Sequence, residues 1–574
     1  LILRDLGNLK EAEISTRKAI QLNPDNAKAH YNLGIILKDI GKSQEAELCY
    51  HKAIELKPDF VQAHYNLGNI LNDLGRLEEA EKSTRKAIEI SPINALAYFN
   101  LGNITRDLGD LKEAEFSFRK AIELKPDFPE AHYNLGSLLH YQWKNTHALE
   151  KLQQAESLQR KTIELKRDFV KAHIELGEIL FNLGKSKEAN ISEWDAVNIY
   201  ESSPILQSYR ENAKLINKTA FYIFGPNIFN HFKPIIEINP DSYELIVQEN
   251  ITEETIKKIQ NDLNHKEITI RYPKEIIENN LIYEKLVSIR ADDFTEVIEY
   301  KNNINKKISL PTIKLLGKKN IRLMYAAGKS KYTISSYWNK FYDGILCYGQ
   351  YHENKFKIRH KIPTAQMGYP RFDKYFIPGF EKDHLIKKFK CNQKKKTIVW
   401  LPTWGNLSSV RKYLKSVASL KSKYNIVVRP HQKMRNNDTD NYQKLFSENF
   451  NYVDDTSEDN VQLFALADLM IFDYGGSMFG SLYLNKNFAF LEMNSEAKNN
   501  SYLGSMSSED YLKSFFPERV AKPENLNSIC EYCLNNRPSN SVMQSLREEF
   551  FNTNYQGTSA NRVNELLASN DWIK

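Results

Sequence analysis

The sequence predicts an α-solenoid of helical repeats followed by an α/β domain with two Rossmann-like halves. Two observations predict this architecture. A 34-residue period runs through the first part of the chain, and from about Ser203 it gives way to β-branched and aromatic runs that alternate with charged helical stretches. We expect a repeat domain over residues 1–190, a linker over 191–210, a first α/β half over 211–390 and a second α/β half over 391–574.

The composition excludes several classes of protein. The chain is 41% hydrophobic and 26% charged, and no apolar run approaches the ~18 residues of a membrane-spanning helix. The 79 Lys and Arg residues against 72 Asp and Glu residues give a net charge of +7, which is too diffuse to predict nucleic-acid binding. This charge permits an anionic ligand or peripheral contact with the inner membrane.

The five cysteines do not form a disulfide framework, which favours a cytoplasmic location. Cys530 and Cys533 form a C-x-x-C pair, which could bind a metal or act in redox chemistry, or could lie on a buried helix face. The chain begins at Leu1 with neither a Met nor a signal-peptide pattern, so we expect that a preceding segment is missing.

Two series of glycines define the repeat. The first suits the close approach of two helices, and the second permits the backbone to leave a helix. The first series is Gly34, Gly68, Gly102 and Gly136, and the second is Gly7, Gly41, Gly75 and Gly109. A proline closes each unit, at Pro24, Pro58, Pro92 and Pro126. This pattern resembles the tetratricopeptide repeat family, with a seven-residue insertion before Gly177 and a last unit that ends near Ala189.

The inner face of such a solenoid suits an extended protein or peptide segment, so we expect a partner in this groove. Its candidate contact residues are asparagines at one repeat position: Asn32, Asn66, Asn100 and Asn134. An amide can donate to and accept from a peptide backbone, although these side chains could instead be solvated or cap a neighbouring helix. The arrangement resembles the asparagine ladder of protein O-GlcNAc transferases. Repeated aspartates are expected to form a second ladder, and the repeated histidines His30, His64 and His132 are expected to pack or line the groove.

The second part of the chain reads as strands and helices in alternation, which predicts parallel sheets. In the first half the expected strands are 220–224, 243–248, 268–272, 321–326 and 344–348. In the second half they are 397–401, 425–428, 469–472 and 488–491. In such sheets ligands bind beyond the carboxyl ends of the strands, so the residues that follow each strand are the candidates for chemistry.

Distinctive short sequence motifs, called words below, follow these strands. They are Pro402-Thr403-Trp404-Gly405, Arg429-Pro430-His431 and Asp473-Tyr474-Gly475-Gly476-Ser477, preceded by Gly368-Tyr369-Pro370-Arg371-Phe372-Asp373 at the end of the first half. In this order they resemble the CDP-glycerol glycerophosphotransferase family of teichoic-acid-type polymer enzymes, which implies a GT-B fold. The resemblance is strongest from about Tyr342 to the C-terminus, where Gly557, Thr558 and Ser559 resemble the family's closing helix.

The residue types of these words fit a nucleotide-diphosphate ligand. Gly475, Gly476 and Ser477 follow a strand and open a helix, so their N–H groups and the Ser477 hydroxyl could face a phosphate, with Asp473 beside them. A glycine pair could also be only a tight turn.

The cationic and aromatic residues of the words add to this prediction. His431 beside Arg429 offers a proton donor next to a cation, unless the histidine is structural. Arg371 could clamp a phosphate or pair with Asp373, and Thr403 and Trp404 could border the nucleotide or pack.

Two departures from the family bear on the mechanism. The family's His-Gly pair, which resembles its catalytic base, is replaced by Ala326-Ala327-Gly328-Lys329, and Lys329, His352 and His360 are the remaining candidates for the base. The family's Asp-Tyr-Ser-Ser reads Asp473-Tyr474-Gly475-Gly476, which replaces a hydroxyl with bare backbone.

We therefore expect a transferase that moves glycerol phosphate, or a related polyol phosphate, from a CDP-linked donor to a cell-surface polymer or glycan precursor. The donor is a substrate, and neither a cofactor nor a metal is expected, because no D-x-D-like carboxylate pair follows a first-half strand. The alternatives are a nucleotide-sugar glycosyltransferase that modifies a protein held by the repeats and a catalytically inactive scaffold.

Overall fold

The structure is a computed structural model. It describes residues 8–225, 228–263, 267–291, 293–301, 304–324, 336–378, 381–448, 450–456, 459–475, 477–493, 508–569 and 571–573. Its contacts divide the chain into two compact units. The first unit contains the described residues up to Gln207 together with Phe294–Leu310, and the second contains Ser208–Asp293 and the described residues from Pro311 onward.

The first unit is a stack of helical hairpins, which confirms the predicted solenoid. Its helices are α1 (Leu9–Leu22), α2 (Ala27–Ile40), α3 (Ser43–Leu56), α4 (Val61–Asp73), α5 (Leu77–Ile90), α6 (Ala95–Asp107), α7 (Leu111–Leu124), α8 (Pro129–Thr146), α9 (Leu149–Leu165), α10 (Val170–Asn182) and α11 (Ser186–Glu201). Small residues such as Ala46 and Ala80 are fully buried between these helices.

The glycines of the first series lie where two helices touch. A Cβ added at Gly34 would lie 2.6 Å from the Tyr50 ring, and one at Gly102 would lie 2.6 Å from the Phe118 ring. A side chain at either position would therefore push the two helices of the hairpin apart. In the second series Gly41 ends α2 in the left-handed region, with a φ of 87°.

The seven-residue insertion lengthens both helices of one hairpin. Helix α8 has 18 residues and α9 has 17, whereas α2 and α3 have 14 each. Residues 191–210, expected as a linker, are largely helical, since α11 runs to Glu201 and α12 (Pro204–Asn212) follows it.

The repeated histidines have a structural role. The Nε2 atoms of His30, His64 and His132 each lie 2.8–2.9 Å from the carbonyl oxygen of a proline six residues earlier. Each ring therefore ties the start of a hairpin to the turn that precedes it.

The first sheet of the second unit has seven strands in the order β3-β2-β1-β4-β7-β8-β9. They are β1 (Lys214–Ile223), β2 (Tyr243–Val247), β3 (Ile270–Arg271), β4 (Leu281–Ser288), β7 (Gly317–Leu323), β8 (Gly344–Cys347) and β9 (Thr364–Gln366), and the described pairs are parallel. Helices α13 (Phe229–Ile236), α14 (Glu253–Asp262), α15 (Pro273–Glu278), α16 (Thr312–Leu316) and α17 (Gln350–His360) connect them. The strand order reverses between β1 and β4.

Between β4 and α16 the chain forms a two-stranded hairpin of β5 (Phe294–Lys301) and β6 (Ile304–Pro311). By its contacts this hairpin belongs to the first unit, where the Phe294 ring lies 5.7 Å from that of Tyr200. The sequence reading did not identify β4, the hairpin or the short strand β9.

The second sheet has the order β12-β11-β10-β13-β14-β15 and is parallel throughout its described pairs. Its strands are β10 (Thr397–Leu401), β11 (Asn425–Val428), β12 (Tyr452–Val453), β13 (Leu469–Phe472), β14 (Phe488–Leu491) and β15 (Val520–Ala521). The four strands expected here lie where the sequence predicted them, because each is a short, fully buried apolar run. Both sheets are Rossmann-like, which confirms the predicted α/β class.

The remaining helices cover the second sheet and close the chain. They are α18 (Lys382–Lys388), α19 (Val410–Ser419), α20 (Gln432–Asn437), α21 (Thr439–Ser447), α22 (Val461–Leu466), α23 (Ser477–Tyr483), α24 (Ser508–Ser514), α25 (Leu526–Asn535), α26 (Asn540–Phe550) and α27 (Ser559–Ala568). On α25, Cys530 and Cys533 are fully buried in the core of the second half, where burial raises the pKa of both thiols. Among the described helices, none has the length and apolar composition needed to cross a bilayer.

Candidate active site at the switch point of the second sheet

The candidate site lies where the strand order of the second sheet reverses, between β10 and β13. The words that follow β10, β11 and β13 all leave the same edge of the sheet, because neighbouring strands are parallel. Two backbone hydrogen bonds hold the word after β11 beside β10 and the word that follows it: Arg429 N–H donates to Trp400 O at 3.0 Å, and His431 N–H donates to Pro402 O at 3.2 Å. The predicted residues of the second half therefore converge on one crevice.

The buried side chain of Asp473 accepts the hydrogen bonds that hold the loop after β10 in place. The Thr403 N–H donates to both of its carboxylate oxygens, at 3.0 and 2.9 Å, and the Ser409 N–H and hydroxyl donate at 2.9 and 2.7 Å. The side chain is fully buried, and burial raises its pKa while the Ser409 hydrogen bonds oppose the rise. Asp473 thus ties the end of β13 to the loop after β10 and positions that loop instead of facing a ligand.

A second buried carboxylate, Asp438, holds the same loop from the other side. Its Oδ2 atom accepts from the Gly405 N–H at 3.1 Å and from Asn441 Nδ2 at 3.0 Å. Gly405 has a φ of 65°, a left-handed conformation that favours glycine. The segment from Thr403 to Gly405 is therefore anchored at both ends, with the partly exposed Trp404 between the anchors.

Arg429 is paired within the protein. Its guanidinium forms an ion pair with Asp454 and donates to Thr456 Oγ1 at 3.1 Å. The Asp454 side chain is 2% exposed and that of Arg429 is 13% exposed, so the pair is largely removed from water. Burial of this kind strengthens the attraction and fixes the arginine at the edge of the crevice.

His431 is exposed at the mouth of the crevice and begins α20. Its Nδ1 atom accepts from the Lys433 N–H at 3.1 Å, so the proton of the neutral ring lies on Nε2. Its ring lies 6.3 Å from that of Trp404, and Lys433 Nζ lies 5.0 Å from the centre of the Trp404 ring. An exposed imidazole, an indole and an ammonium group thus share one surface.

The word after β13 offers main-chain groups at Gly475 and a hydroxyl group at Ser477. Gly475 has a φ of 115°, and among the described residues other than its chain neighbours no atom lies within 4 Å of the position that a Cβ would take there. The Ser477 hydroxyl accepts from Asn460 Nδ2 at 3.5 Å. Gly476 lies outside the described residues.

Arg371 lies at the junction of the two halves and does not pair with Asp373. Its Nε donates to Asp459 Oδ2 at 2.9 Å, and its Nη2 donates to Asn460 Oδ1 at 3.1 Å. Burial is the largest single influence and acts to lower the pKa of Arg371, but Asp459 and the neighbouring tyrosines together raise this pKa. Arg371 therefore joins the end of the first half to the start of α22, beside the residue that contacts Ser477.

Asp373 instead holds the closing helix. Its Oδ2 atom accepts from the Ala560 N–H at 2.7 Å, and the Tyr369 N–H donates to Ser559 Oγ at 3.0 Å. Burial raises the pKa of Asp373 to about 6. These hydrogen bonds hold the word Gly368–Asp373 against the start of the closing helix, beside the word Gly557–Ser559.

The proposed catalytic bases of the first half divide into two groups. Lys329 lies outside the described residues. His352 and His360 are fully buried, His360 in a polar cluster with Asn339 and Lys340. In this arrangement neither histidine is exposed to an acceptor.

The four asparagines of the repeat groove differ in their surroundings. Asn66 Nδ2 donates to Tyr31 Oη at 3.2 Å, and Asn134 Nδ2 donates to Asn103 Oδ1 at 2.7 Å. Both are half-buried, as is Asn32, so part of each amide remains accessible.

Asn100 differs because it is buried and donates to Thr84 Oγ1 at 3.1 Å. Thr84 replaces the ring that Tyr50 and Phe118 supply in other hairpins, and Asn100 enters the space that this smaller residue leaves.

Sequence reasoning missed three residues that shape the crevice: Asp438, Asp454 and Lys513. Lys513, on α24, donates from Nζ to the Asp473 backbone oxygen at 2.7 Å and lies 3.9 Å from the centre of the Tyr474 ring. Asp454 directly follows β12, so the carboxyl end of a short strand was the signal that could have found it.

The fold defines a class of protein: a helical repeat array joined to an α/β domain whose second sheet reverses its strand order between β10 and β13. Residues 313–569 match the model of the family described as CDP-Glycerol:Poly(glycerophosphate) glycerophosphotransferase. Residues 1–41 and 102–142 match a TPR repeat model, and residues 27–60 and 61–94 match a tetratricopeptide repeat model. The chain therefore carries tetratricopeptide repeats and a glycerophosphotransferase-type domain.

Solved structures with similarity to the chain align with about a third of it. YrrB, described as a TPR protein with an unusual peptide-binding site, is 22% identical, with 34% of this chain and 97% of YrrB covered and a TM-score of 0.27. PilF of Pseudomonas aeruginosa is 18% identical, with 36% and 92% covered and a TM-score of 0.32. MamA is 24% identical, with 29% and 95% covered and a TM-score of 0.27. A comparison with curated proteins found no match.

Proposed function

We propose that this protein transfers glycerol phosphate, or a related polyol phosphate, from a CDP-linked donor to a cell-surface polymer or glycan precursor. The observation that carries the proposal is the coincidence of two findings: residues 313–569 match the glycerophosphotransferase model, and the words of that segment converge at the switch point of the second sheet. In sheets of this topology the switch point is where nucleotides bind.

The reaction is an in-line displacement at phosphorus. An acceptor hydroxyl attacks the phosphorus that bears the glycerol, the bond from that phosphorus to the bridging oxygen breaks, and CMP leaves. The acceptor hydroxyl loses its proton to a base, which the described residues of the crevice do not identify. Charge develops on the leaving phosphate, so that side of the reaction needs cations and hydrogen-bond donors.

The side chains of the crevice are suited to stabilise the leaving phosphate. His431 carries a proton on Nε2 when its Nδ1 accepts from Lys433, and it is exposed. In our proposal this Nε2–H group donates a hydrogen bond to the departing phosphate and stabilises the charge that develops there. Lys433 supplies positive charge at the same mouth, and Trp404 borders the nucleotide. The charge of Arg429 is balanced by Asp454, so Arg429 contributes through the N–H groups that this pair holds in place.

The backbone after β13 completes the donor site in this proposal. Gly475 leaves its surroundings open, so a phosphate can approach the main chain more closely than it could beside a side chain. We assign Gly476 and Ser477 to the same phosphate contact, as the sequence indicated.

The repeats support a second activity, the binding of a protein or peptide. Tetratricopeptide repeats form a groove, and here Asn32, Asn66 and Asn134 remain partly accessible. We propose that the array localises an acceptor or an assembly partner for the transferase.

Donor screening tests the proposal. We expect CDP-glycerol to raise the melting temperature of the full chain and to be consumed in the presence of a polyol-phosphate acceptor. Turnover of a UDP-linked sugar onto a protein would instead establish a glycosyltransferase. If no nucleotide-linked donor shifts the melting temperature, the chain is a scaffold and the transferase proposal fails.

A further inference from the structure

A second polar groove lies in the second unit, outside the crevice at the switch point. It has a volume of about 490 Å³, and its lining includes Asn485, Asn540, Gln544, Arg547, Thr553 and Gln556. None of these residues belongs to β10, β11 or β13 or to the words that follow them. The volume lies in the range of small-molecule sites and is far larger than a bound water requires.

The described part of the lining carries one cation, Arg547, and one carboxylate, Glu548, which is exposed and accepts from Gln544. Among the described residues, no carboxylate lies within ion-pair distance of its guanidinium, and its Nε is buried with no hydrogen-bond acceptor. Burial lowers the pKa of Arg547, which reflects the cost of holding the cation away from water. A half-buried arginine without an anion favours the binding of one, and its planar donors suit a phosphate.

The amide side chains of the lining can bind the hydroxyl groups of a ligand. Gln556 Nε2 donates to Tyr483 O at 3.0 Å, which fixes the amide and leaves its oxygen as an acceptor. Gln544 Nε2 donates to Glu548 Oε1 at 2.9 Å and is oriented in the same way. The exposed amides of Asn485 and Asn540 add donors and acceptors in pairs, the combination that neighbouring hydroxyls require.

An exposed aromatic residue outside the lining contacts the residue that follows Gln556. Phe376 is 41% exposed, and its Cβ lies 3.1 Å from the position that a Cβ would take at Gly557, the residue after Gln556. Aromatic faces pack against the C–H groups of polyols and sugars while their hydroxyls bind amides. The guanidinium suits a phosphate, the amides suit hydroxyls, and the aromatic ring suits C–H groups. The ligand that fits all three carries phosphate, hydroxyl and C–H surface.

We propose that this groove binds a chain of phosphorylated polyol units and holds the acceptor polymer outside the catalytic crevice. The inference rests on the proposed function, since it takes the acceptor of that reaction as the ligand. One phosphate of the chain pairs with Arg547, and the hydroxyls of the neighbouring units bind the amides of α26 and of Gln556.

The test is direct binding of a defined glycerol-phosphate oligomer to the full chain by titration calorimetry, with glycerol 3-phosphate as the single-unit probe. We expect the oligomer to bind more tightly than the single unit. We expect Arg547→Gln to weaken oligomer binding about tenfold, as for the loss of one charge-assisted contact. The double variant Asn540→Ala, Gln544→Ala changes exposed residues, so it should fold and still bind the oligomer more weakly.

Arg537→Gln is the matched control, because Arg537 is an exposed arginine just before α26 and does not line the groove. It should bind the oligomer as the unaltered chain does. Equal affinity for the oligomer and the single unit would overturn the assignment to a polymer, and unchanged oligomer binding in both groove variants would overturn the site. CDP-glycerol turnover is measured separately, so a chain that binds the oligomer without turnover would refute the transferase and leave the groove standing.

Discussion

The backbone N–H of Thr403 donates to both carboxylate oxygens of Asp473, at 3.0 and 2.9 Å. This bond joins the ends of β10 and β13 across the point where the strand order reverses, so this buried carboxylate is one of the two that shape the proposed donor crevice. Removal of the Asp473 carboxylate should lower both the stability of the fold and the affinity for the donor.

We therefore expect Asp473→Asn to lower the free energy of unfolding by about 2 kcal/mol, because an amide cannot accept all the N–H and O–H groups that surround it. Donor affinity should fall as the loop from Thr403 to Gly405 loses its anchor. Urea denaturation measures the first effect, and the donor-induced rise in melting temperature measures the second.

Asp468→Asn is the matched control for this variant. Asp468 accepts from the Thr397 N–H at 2.8 Å, at the opposite end of β10. It should cost stability without reducing donor affinity. Equal donor affinity in Asp473→Asn and in the unaltered chain would show that this loop does not form the donor site.

His431 provides the most direct test of the leaving-group chemistry. His431→Ala should lower transfer by about 10²-fold to 10³-fold, the range for loss of one hydrogen-bond donor to developing charge, while the fold is preserved because the side chain is exposed. The rate of CMP release measures the effect. His384→Ala changes another exposed histidine and should leave the rate unchanged. A normal rate in His431→Ala would exclude this residue from the mechanism.

The buried carboxyl of Asp373 predicts a specific dependence of stability on pH. Burial raises its pKa from 3.8 to about 6, so the protonated form is favoured in the folded state. The resulting stabilisation is fully present below pH 3.8 and is lost as the pH rises through about 6. With about 1.36 kcal/mol per pKa unit, the loss is about 3 kcal/mol.

Asp373→Asn removes this titration and keeps an oxygen acceptor for the Ala560 N–H. The difference in unfolding free energy between the unaltered chain and the variant should therefore shift in favour of the variant between pH 4 and pH 7, by about 3 kcal/mol. Chemical denaturation at several pH values measures it. A difference that stays constant over this range would show that Asp373 titrates normally.

The close helix contact at Gly102 predicts the behaviour of the repeats. Gly102→Ala places a Cβ 2.6 Å from the Phe118 ring, so we expect a loss of about 1–3 kcal/mol from overpacking. Adding Phe118→Leu should recover part of this loss by making space. Urea denaturation of the single and double variants checks the result, and a single variant as stable as the unaltered chain would refute the close packing.

Much of the fold could be predicted from the sequence because its signals are local. The 34-residue period and the four buried runs of the second sheet specify elements through spacing and apolar content alone. The hairpin β5–β6 and strand β4 escaped prediction because their polar and charged residues give no clear alternation.

For the site, the sequence indicated which words converge but not the state of each side chain. Arg371 and Arg429 have the residue type expected of phosphate ligands, yet the structure pairs them with Asp459 and Asp454. Both carboxylates are distant in sequence from the words, at 88 and 25 residues, so only the three-dimensional arrangement reveals the pairing.

The measurement that tests the central claim most directly is the release of CMP from CDP-glycerol by the full chain, with and without a polyol-phosphate acceptor. We expect acceptor-dependent CMP release that His431→Ala slows by about 10²-fold or more and His384→Ala leaves unchanged. No release from CDP-glycerol, or a rate that does not depend on His431, would contradict the central claim.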